Sequence, residues 1–158
     1  MANRQPEVKA HGARSHGVKQ RGAESFYLAV QINYEDTDAA GVVYYGNYLG
    51  YMERARNACL RSLGFPLTAL KQQHSILFVV TEARLKYLAP AWLDDELNVT
   101  LEILQLKRAS MVFGQQVWRN DKVLVDGEIK LAILNCETFK PRRMPADLAD
   151  ALEQWSFS

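Results

Sequence analysis

Two aspartates precede the main helix expected from this sequence. Asp36 and Asp38 lie in the polar turn 35–41, and Gly46-Asn47 then opens an apolar pattern with helical spacing. The free backbone N–H groups of a first helical turn, together with the helix dipole, stabilise developing negative charge. A carboxylate a few residues upstream can face the same small volume. This pairing suits attack of water, or of the carboxylate itself, on a carbonyl carbon whose oxygen becomes an anion.

The same residues also have a structural interpretation. Asp and Thr before a helix are ordinary capping and turn residues, and Asp36 fits that role better than the role of a second base. Glu53 lies three residues before Arg56, a spacing typical of an ion pair within a helix. His74 follows a polar stretch and is expected at the surface. The spacing alone therefore leaves both catalysis and capping open.

The elements that must position these residues follow from periodicity. The aromatic and β-branched run over 26–34 predicts a strand, and apolar residues at helical spacing from Tyr48 to Leu63 predict one long helix that Gly64 ends. Further strands are predicted over 76–88, 96–107, 110–119 and 122–136, and a short amphipathic helix over 146–155. This order defines an α+β domain, with the long helix packed on an antiparallel sheet of about five strands. Its open edges predict that two copies dimerise edge to edge.

Composition bounds the class of protein. The 158 residues are 48% hydrophobic and 23% charged, as in a globular protein with one core. Residues 1–23 hold five basic residues and one acid with few large apolar side chains, which predicts a disordered basic leader before a single domain over 24–158. A transit peptide or an RNA-binding arm is the alternative for the leader.

Charge and residue counts exclude several functions. The formal net charge of +1 gives no reason to expect nucleic-acid binding, and no apolar run is long enough to predict a membrane span. Two cysteines cannot form a disulfide framework, and with three histidines, two of them in the leader, we expect no metal. We therefore expect a soluble, cytoplasmic protein that works with carboxylates, backbone dipoles or the shape of its surface.

An ordered motif runs through the loop and into the helix. It reads Asp-x-Asp-x-x-Gly-Val-Val-Tyr-Tyr-x-Asn-Tyr from Asp36 to Tyr48, and Glu-Arg-Ala-Arg follows at 53–56. This string resembles the signature of hotdog-fold acyl-CoA thioesterases of the 4-hydroxybenzoyl-CoA type. Within these it is most similar to the bacterial group associated with the Tol-Pal envelope system. The likeness in layout extends from about Ser25 to Phe139, including the segment 85–91.

The resemblance implies roles for individual residues. Asp38 corresponds to the catalytic carboxylate, acting as general base or as nucleophile, and the backbone N–H of Tyr45 to the donor that polarises the thioester oxygen. The Tol-Pal group often carries histidine where Tyr45 stands, so a backbone donor is retained and a histidine side-chain role is not. From its own place in the chain, Asn47 is expected to begin the helix or orient the loop, and it is also a candidate for substrate binding. At a turn between strands, Lys107 and Arg108 are candidates for contact with CoA phosphates, and a solvated turn is the alternative.

The resemblance further implies a homodimer or homotetramer with active sites at the subunit interface, an acyl-CoA substrate, and no metal or organic cofactor. The expected reaction converts acyl-CoA and water into a carboxylate and CoA. The alternative is a non-catalytic hotdog module that binds lipid-synthesis or envelope-associated proteins. The acyl group, and the choice between CoA and acyl-carrier-protein thioesters, stay open.

Overall fold

The computed structural model of the protein describes residues 26–157, so the leader expected over 1–23 lies outside the described residues. These residues form nine β-strands and α-helices: β1 (Tyr27–Gln31), α1 (Asn47–Ser62), α2 (Leu67–His74), β2 (Ile76–Tyr87), β3 (Glu96–Thr100), β4 (Glu102–Leu106), β5 (Ser110–Arg119), β6 (Lys122–Asn135) and α3 (Ala146–Phe157). The expected α+β arrangement of one long helix against an antiparallel sheet is confirmed.

The sheet is antiparallel throughout, in the order β1-β3-β5-β6-β2, with β4 pairing β5 beside this path. It has six strands rather than about five because the strand predicted over 96–107 is divided at Leu101, whose side chain is buried. β3 pairs β5 at Val117 and Trp118, while β4 pairs the first half of β5, from Met111 to Gly114. The long strand β5 thus pairs with two short strands, β3 and β4, which lie end to end along it.

The helix α1 packs its apolar stripe against the sheet. Tyr51, Met52, Ala55 and Cys59 on this stripe are all at most 2% exposed. Burial of a large apolar side chain contributes about 1.5–3 kcal/mol, so this stripe anchors the helix firmly. The predicted stop at Gly64 is confirmed: Gly64 has φ 89°, and the amide of Phe65 donates to the carbonyl of Leu60. This is the Schellman arrangement that glycine favours.

A buried polar contact lies between α1 and β5. Nη1 of Arg56 donates to Oε1 of Gln115 at 2.8 Å, and Nε2 of Gln115 donates to the carbonyl of Met52 at 3.0 Å. Burial lowers the pKa of the Arg56 guanidinium, and the nearby carboxylate of Glu53 opposes this effect. The partner within hydrogen-bond reach of Arg56 is therefore an amide of the sheet and not the Glu53 carboxylate expected from helical spacing.

The two shorter helices close one end of the sheet. The terminal helix α3 is confirmed, and it buries Leu148 and Leu152. The helix α2 was not predicted, because its polar sequence buries only Leu70. Nε2 of His74, at the end of α2, lies 3.4 Å from a carboxylate oxygen of Asp147 at the start of α3. This side-chain contact links α2 to α3.

Candidate active site

Asp36 holds the loop before α1 in place. Its Oδ1 accepts the Tyr51 hydroxyl at 2.7 Å, and its Oδ2 accepts the Asn33 amide at 2.8 Å. Its backbone carbonyl accepts the Tyr44 amide and Nδ2 of Asn47, both at 2.9 Å. Both carboxylate oxygens are thus occupied by structural donors, as expected of a capping residue.

The Tyr51 hydroxyl belongs to the same contact. The residue is 1% exposed, and burial, followed by the hydrogen bond to Asp36, raises the pKa of this hydroxyl above its ordinary value. A neutral hydroxyl can donate to a carboxylate, whereas a phenolate would repel it. Tyr51 therefore stays protonated and fixes Asp36 against the second turn of α1.

Asp38 lies at the start of a small hairpin that directly follows Asp36 and its hydrogen bonds. Its amide donates to the Val42 carbonyl and its carbonyl accepts the Gly41 amide, both at 2.9 Å. Gly41 adopts φ 80°, the left-handed conformation that closes a three-residue hairpin loop. Val42 bridges to Trp92 and the Val43 amide donates to the Ala91 carbonyl, so the loop after β2 supports the hairpin.

The carboxylate of Asp38 differs from that of Asp36 in its hydrogen bonds. Its Oδ1 accepts the amide of Ala40 at 2.8 Å, which fixes the side chain locally. Within residues 26–157 its other oxygen accepts no hydrogen bond, and the residue is exposed. One acceptor oxygen is therefore positioned and available.

Backbone donors lie at the other end of the same loop. The Asn47 amide donates to the Tyr44 carbonyl at 2.9 Å, which makes Tyr44–Asn47 a turn leading into α1. Gly46 has helical φ and ψ of −69° and −22°. Among the described residues, nothing accepts a hydrogen bond from the amides of Tyr45 and Gly46. The structure thus places Asp38 and Tyr45 on one hydrogen-bonded loop, and it shows a second free amide, at Gly46, that sequence reasoning missed.

Glycine at position 46 has a steric reason. A Cβ added there would lie 2.7 Å from Cε1 of Tyr44, well inside van der Waals contact. The Tyr44 ring therefore packs directly over this backbone. The spacing of the motif gave no sign of this constraint.

Aromatic side chains surround the free amides. Tyr45, which is 63% exposed, contacts the rings of Tyr44 and Tyr87 with centroid distances of 4.8 Å and 6.2 Å. Trp92 is also largely exposed, and it follows the Ala91 carbonyl that receives the hairpin. The surface beside the carboxylate and the amides is thus suited to an apolar group.

The remaining predicted site residues lie elsewhere or have structural contacts. Asn47 supports the loop through Asp36, as described. Lys107 and Arg108 lie exposed at the Ser110 end of β5, whereas the hairpin of Asp38 lies toward the Arg119 end. Ten residues of strand extend about 30 Å, so one chain does not bring these cations to its own Asp38.

Two further findings concern the described residues alone. No helix between 26 and 157 combines the length and apolar content of a bilayer span. Nor does any group of three histidine, cysteine, aspartate or glutamate side chains in this range have the arrangement that holds a metal ion.

A long helix against an antiparallel sheet, with a carboxylate loop at the helix N-terminus, defines a hotdog domain. The family model described as the thioesterase superfamily matches residues 40–125, more than half of the chain. The chain therefore belongs to the thioesterase superfamily, and the recognition made from its motif is confirmed. The match begins two residues after Asp38, so it does not itself test that residue.

Known proteins are similar over most of the chain. It is 37% identical over 126 residues to acyl-CoA thioesterase YbgC of Haemophilus influenzae, covering 80% of this chain and 93% of that protein. It is 35% identical over 130 residues to acyl-CoA thioester hydrolase YbgC of Escherichia coli O157:H7, covering 82% and 96%. The crystal structure of a probable thioesterase from Bartonella henselae matches with a TM-score of 0.73 and 31% identity, covering 77% and 99%.

Proposed function

We propose that this protein hydrolyses acyl-CoA thioesters to a carboxylate and the free CoA thiol. The observation that carries the proposal is the state of the loop 33–47. One oxygen of Asp38 and the backbone amides of Tyr45 and Gly46 make no hydrogen bond to the described residues, whereas both carboxylate oxygens of Asp36 accept one. Membership of the thioesterase superfamily and the similarity to YbgC proteins support the choice of substrate.

In the proposed reaction, the thioester oxygen accepts a hydrogen bond from the Tyr45 amide. Asp38 either takes a proton from an attacking water or attacks the carbonyl carbon itself, forming an anhydride that water then opens. In both routes the C–S bond breaks, and the sulfur leaves as a thiolate that takes up a proton. A general base supplies about 10²–10⁴ in rate, and one oxyanion donor about 2.7–4 kcal/mol.

A second copy of the chain is part of the proposal. Asp38 and Tyr45 are exposed on the single chain, so another surface must exclude water from them. The edge strand β2 offers this surface. Val80 and Ala83 are exposed, although they pair with the buried Leu131 and Ile129 and so lie on the apolar face of the sheet. A homodimer joined at this edge, alone or paired again as a homotetramer, would cover that strip.

The CoA phosphates are assigned to a basic cluster at the far end of the sheet. Arg108 accepts the Met144 amide at its carbonyl, at 2.8 Å, which brings Lys107 and Arg108 beside Arg142 and Arg143. Lysine and arginine suit phosphate oxygens. Since the cluster is remote from Asp38 of its own chain, we propose that it serves the site of another subunit.

The decisive experiment is release of CoA thiol from short aliphatic, long aliphatic and aroyl thioesters, each offered also on an acyl carrier protein. Turnover of any of them above the uncatalysed rate supports the proposal and identifies the acyl class. A well-folded protein that releases no thiol from the whole panel would contradict it and favour the non-catalytic binding module. We propose a cytoplasmic site for this reaction, supported by the unpaired Cys59 and Cys136.

A further inference from the structure

Tyr87, on the edge strand β2, contacts the loop that carries the free amides of Tyr45 and Gly46. It is the last residue of β2, and its hydroxyl donates to the Tyr45 carbonyl at 3.0 Å. Its ring meets that of Tyr45 edge-on, and it lies 5.8 Å from that of the buried Tyr48 in the first turn of α1. The contact therefore joins the edge strand to the junction of loop and helix.

The bonded carbonyl belongs to a peptide unit with a free amide. The Tyr45 carbonyl and the Gly46 N–H form one planar group, so a hydrogen bond that orients the carbonyl also orients that N–H. Accepting a hydrogen bond at the oxygen further polarises the N–H at the other end of the group. Holding this plane also limits rotation about the Tyr45 backbone, and so steadies the Tyr45 amide.

Within residues 26–157, no other hydrogen bond is made to this peptide group. Gly46 has no side chain, and the exposed Tyr45 ring is held by ring contacts with Tyr44 and Tyr87. Burial raises the pKa of the Tyr87 hydroxyl, and the neighbouring Tyr45 adds to this shift. The hydroxyl consequently remains a donor at neutral pH.

We infer that Tyr87 is a positioning residue for the proposed hydrolysis. Its hydroxyl holds the Tyr45–Gly46 peptide so that both amides point at the thioester oxygen, and Gly46 supplies a second hydrogen bond to that oxygen. The inference rests on the proposed function, and it assigns Tyr87 no contact with the substrate.

Tyr87→Phe tests the inference because it removes the hydroxyl and keeps the ring contacts. We expect kcat on the best acyl-CoA to fall about two- to tenfold, as for loss of one ordinary hydrogen bond, with KM and the thermal midpoint nearly unchanged. The matched control is Tyr27→Phe. Tyr27 lies on the opposite edge strand, and within the described residues its hydroxyl makes no hydrogen bond.

A spectroscopic readout separates positioning from a merely structural role. Acyl-CoA bound to an Asp38→Asn protein that turns over slowly has a thioester C=O stretching frequency that falls as donors polarise the carbonyl. Adding Tyr87→Phe should raise this frequency, whereas adding Tyr27→Phe should leave it in place. A purely structural role of Tyr87 would lower the thermal midpoint without moving the frequency.

The outcomes distinguish this inference from the proposal beneath it. Wild-type turnover combined with unchanged kcat and C=O frequency in Tyr87→Phe overturns the role of Tyr87 alone. A rise in KM at constant kcat also overturns it, because that result indicates direct substrate binding. If wild-type protein hydrolyses no thioester, the proposed function fails and this inference fails with it.

Discussion

Replacing Asp38 with asparagine removes the negative charge while leaving the hairpin intact. Oδ1 of Asp38 accepts the Ala40 amide at 2.8 Å, and an asparagine oxygen can accept the same bond. Loss of a general base lowers a rate by about 10²–10⁴-fold, equivalent to about 2.7–5.4 kcal/mol of transition-state stabilisation. For an exposed residue whose local bond survives, we expect the free energy of unfolding to change by less than about 0.5 kcal/mol.

The matched control is Asp36→Asn, two residues earlier. Here both carboxylate oxygens accept hydrogen bonds, from the Asn33 amide and the Tyr51 hydroxyl. An asparagine has one acceptor oxygen, so its amide group would face a donor and leave it unsatisfied. We expect a loss of about 1–3 kcal/mol in the free energy of unfolding. Activity should fall less than in Asp38→Asn, because the loop shifts while the carboxylate proposed to react remains.

The assay pairs initial rates of thiol release with urea unfolding of the same preparations. We expect opposite patterns: Asp38→Asn should be stable and inactive, and Asp36→Asn should be less stable and partly active. Turnover of folded Asp38→Asn within threefold of wild type would refute the assignment of Asp38. Loss of turnover in a stable Asp36→Asn alone would indicate that Asp36 is the reacting carboxylate and that Asp38 has the structural role.

Three other measurements check separate features. Gly41→Ala should lower the free energy of unfolding by about 1 kcal/mol, because φ is 80° there. Gly50→Ala inside α1, where a Cβ meets no atom, should raise the free energy of unfolding by about 1 kcal/mol. A change of the same sign in both variants would contradict these expectations. Because the pKa of the Tyr51 hydroxyl is raised on folding, the stability that this hydroxyl contributes is full below about pH 10, the ordinary tyrosine value, and declines as the pH rises from there toward the higher pKa of the folded state. The stability difference between wild type and Tyr51→Phe should therefore shrink in alkaline urea titrations, and a constant difference would argue against a buried neutral hydroxyl. Finally, burial raises the pKa of Cys59 to about 12, so Ellman's reagent should titrate at most one thiol, Cys136, in native protein and two after denaturation.

Turn residues in the sequence correctly predicted the limits of the elements that they flank. β5 has the limits expected from its pattern, because Asn120-Asp121 forms the turn to β6 with Asn120 at φ 53°. The break at Leu101 was not foreseen, since the alternation of side chains continues across it and only the pairing partner on β5 changes. The helix α2 was missed for a related reason, because a single buried leucine produces no periodic signal.

The site divides in the same way. Asp38 and Tyr45 come from one continuous motif, so the resemblance could suggest both of them. Tyr87 lies 42 residues beyond Tyr45 in the chain and reaches it only because β2 pairs with β6 at the edge of the sheet. A partnership made by sheet topology has no counterpart in spacing. The same holds for Arg56, whose partner Gln115 lies 59 residues away.

The difference between the two aspartates is a matter of saturation by hydrogen bonds. They are two residues apart, of one type, and before the same helix, so spacing alone leaves capping and catalysis open, although Asp36 fits capping better. Both carboxylate oxygens of Asp36 and its backbone carbonyl accept hydrogen bonds from the backbone and side-chain donors that hold the loop. One carboxylate oxygen of Asp38 accepts a hydrogen bond from Ala40 in its own turn, and the other accepts none from the described residues. A base or a nucleophile needs a lone pair that the protein has left unused, and in this loop that requirement selects Asp38 while making its position depend on Asp36.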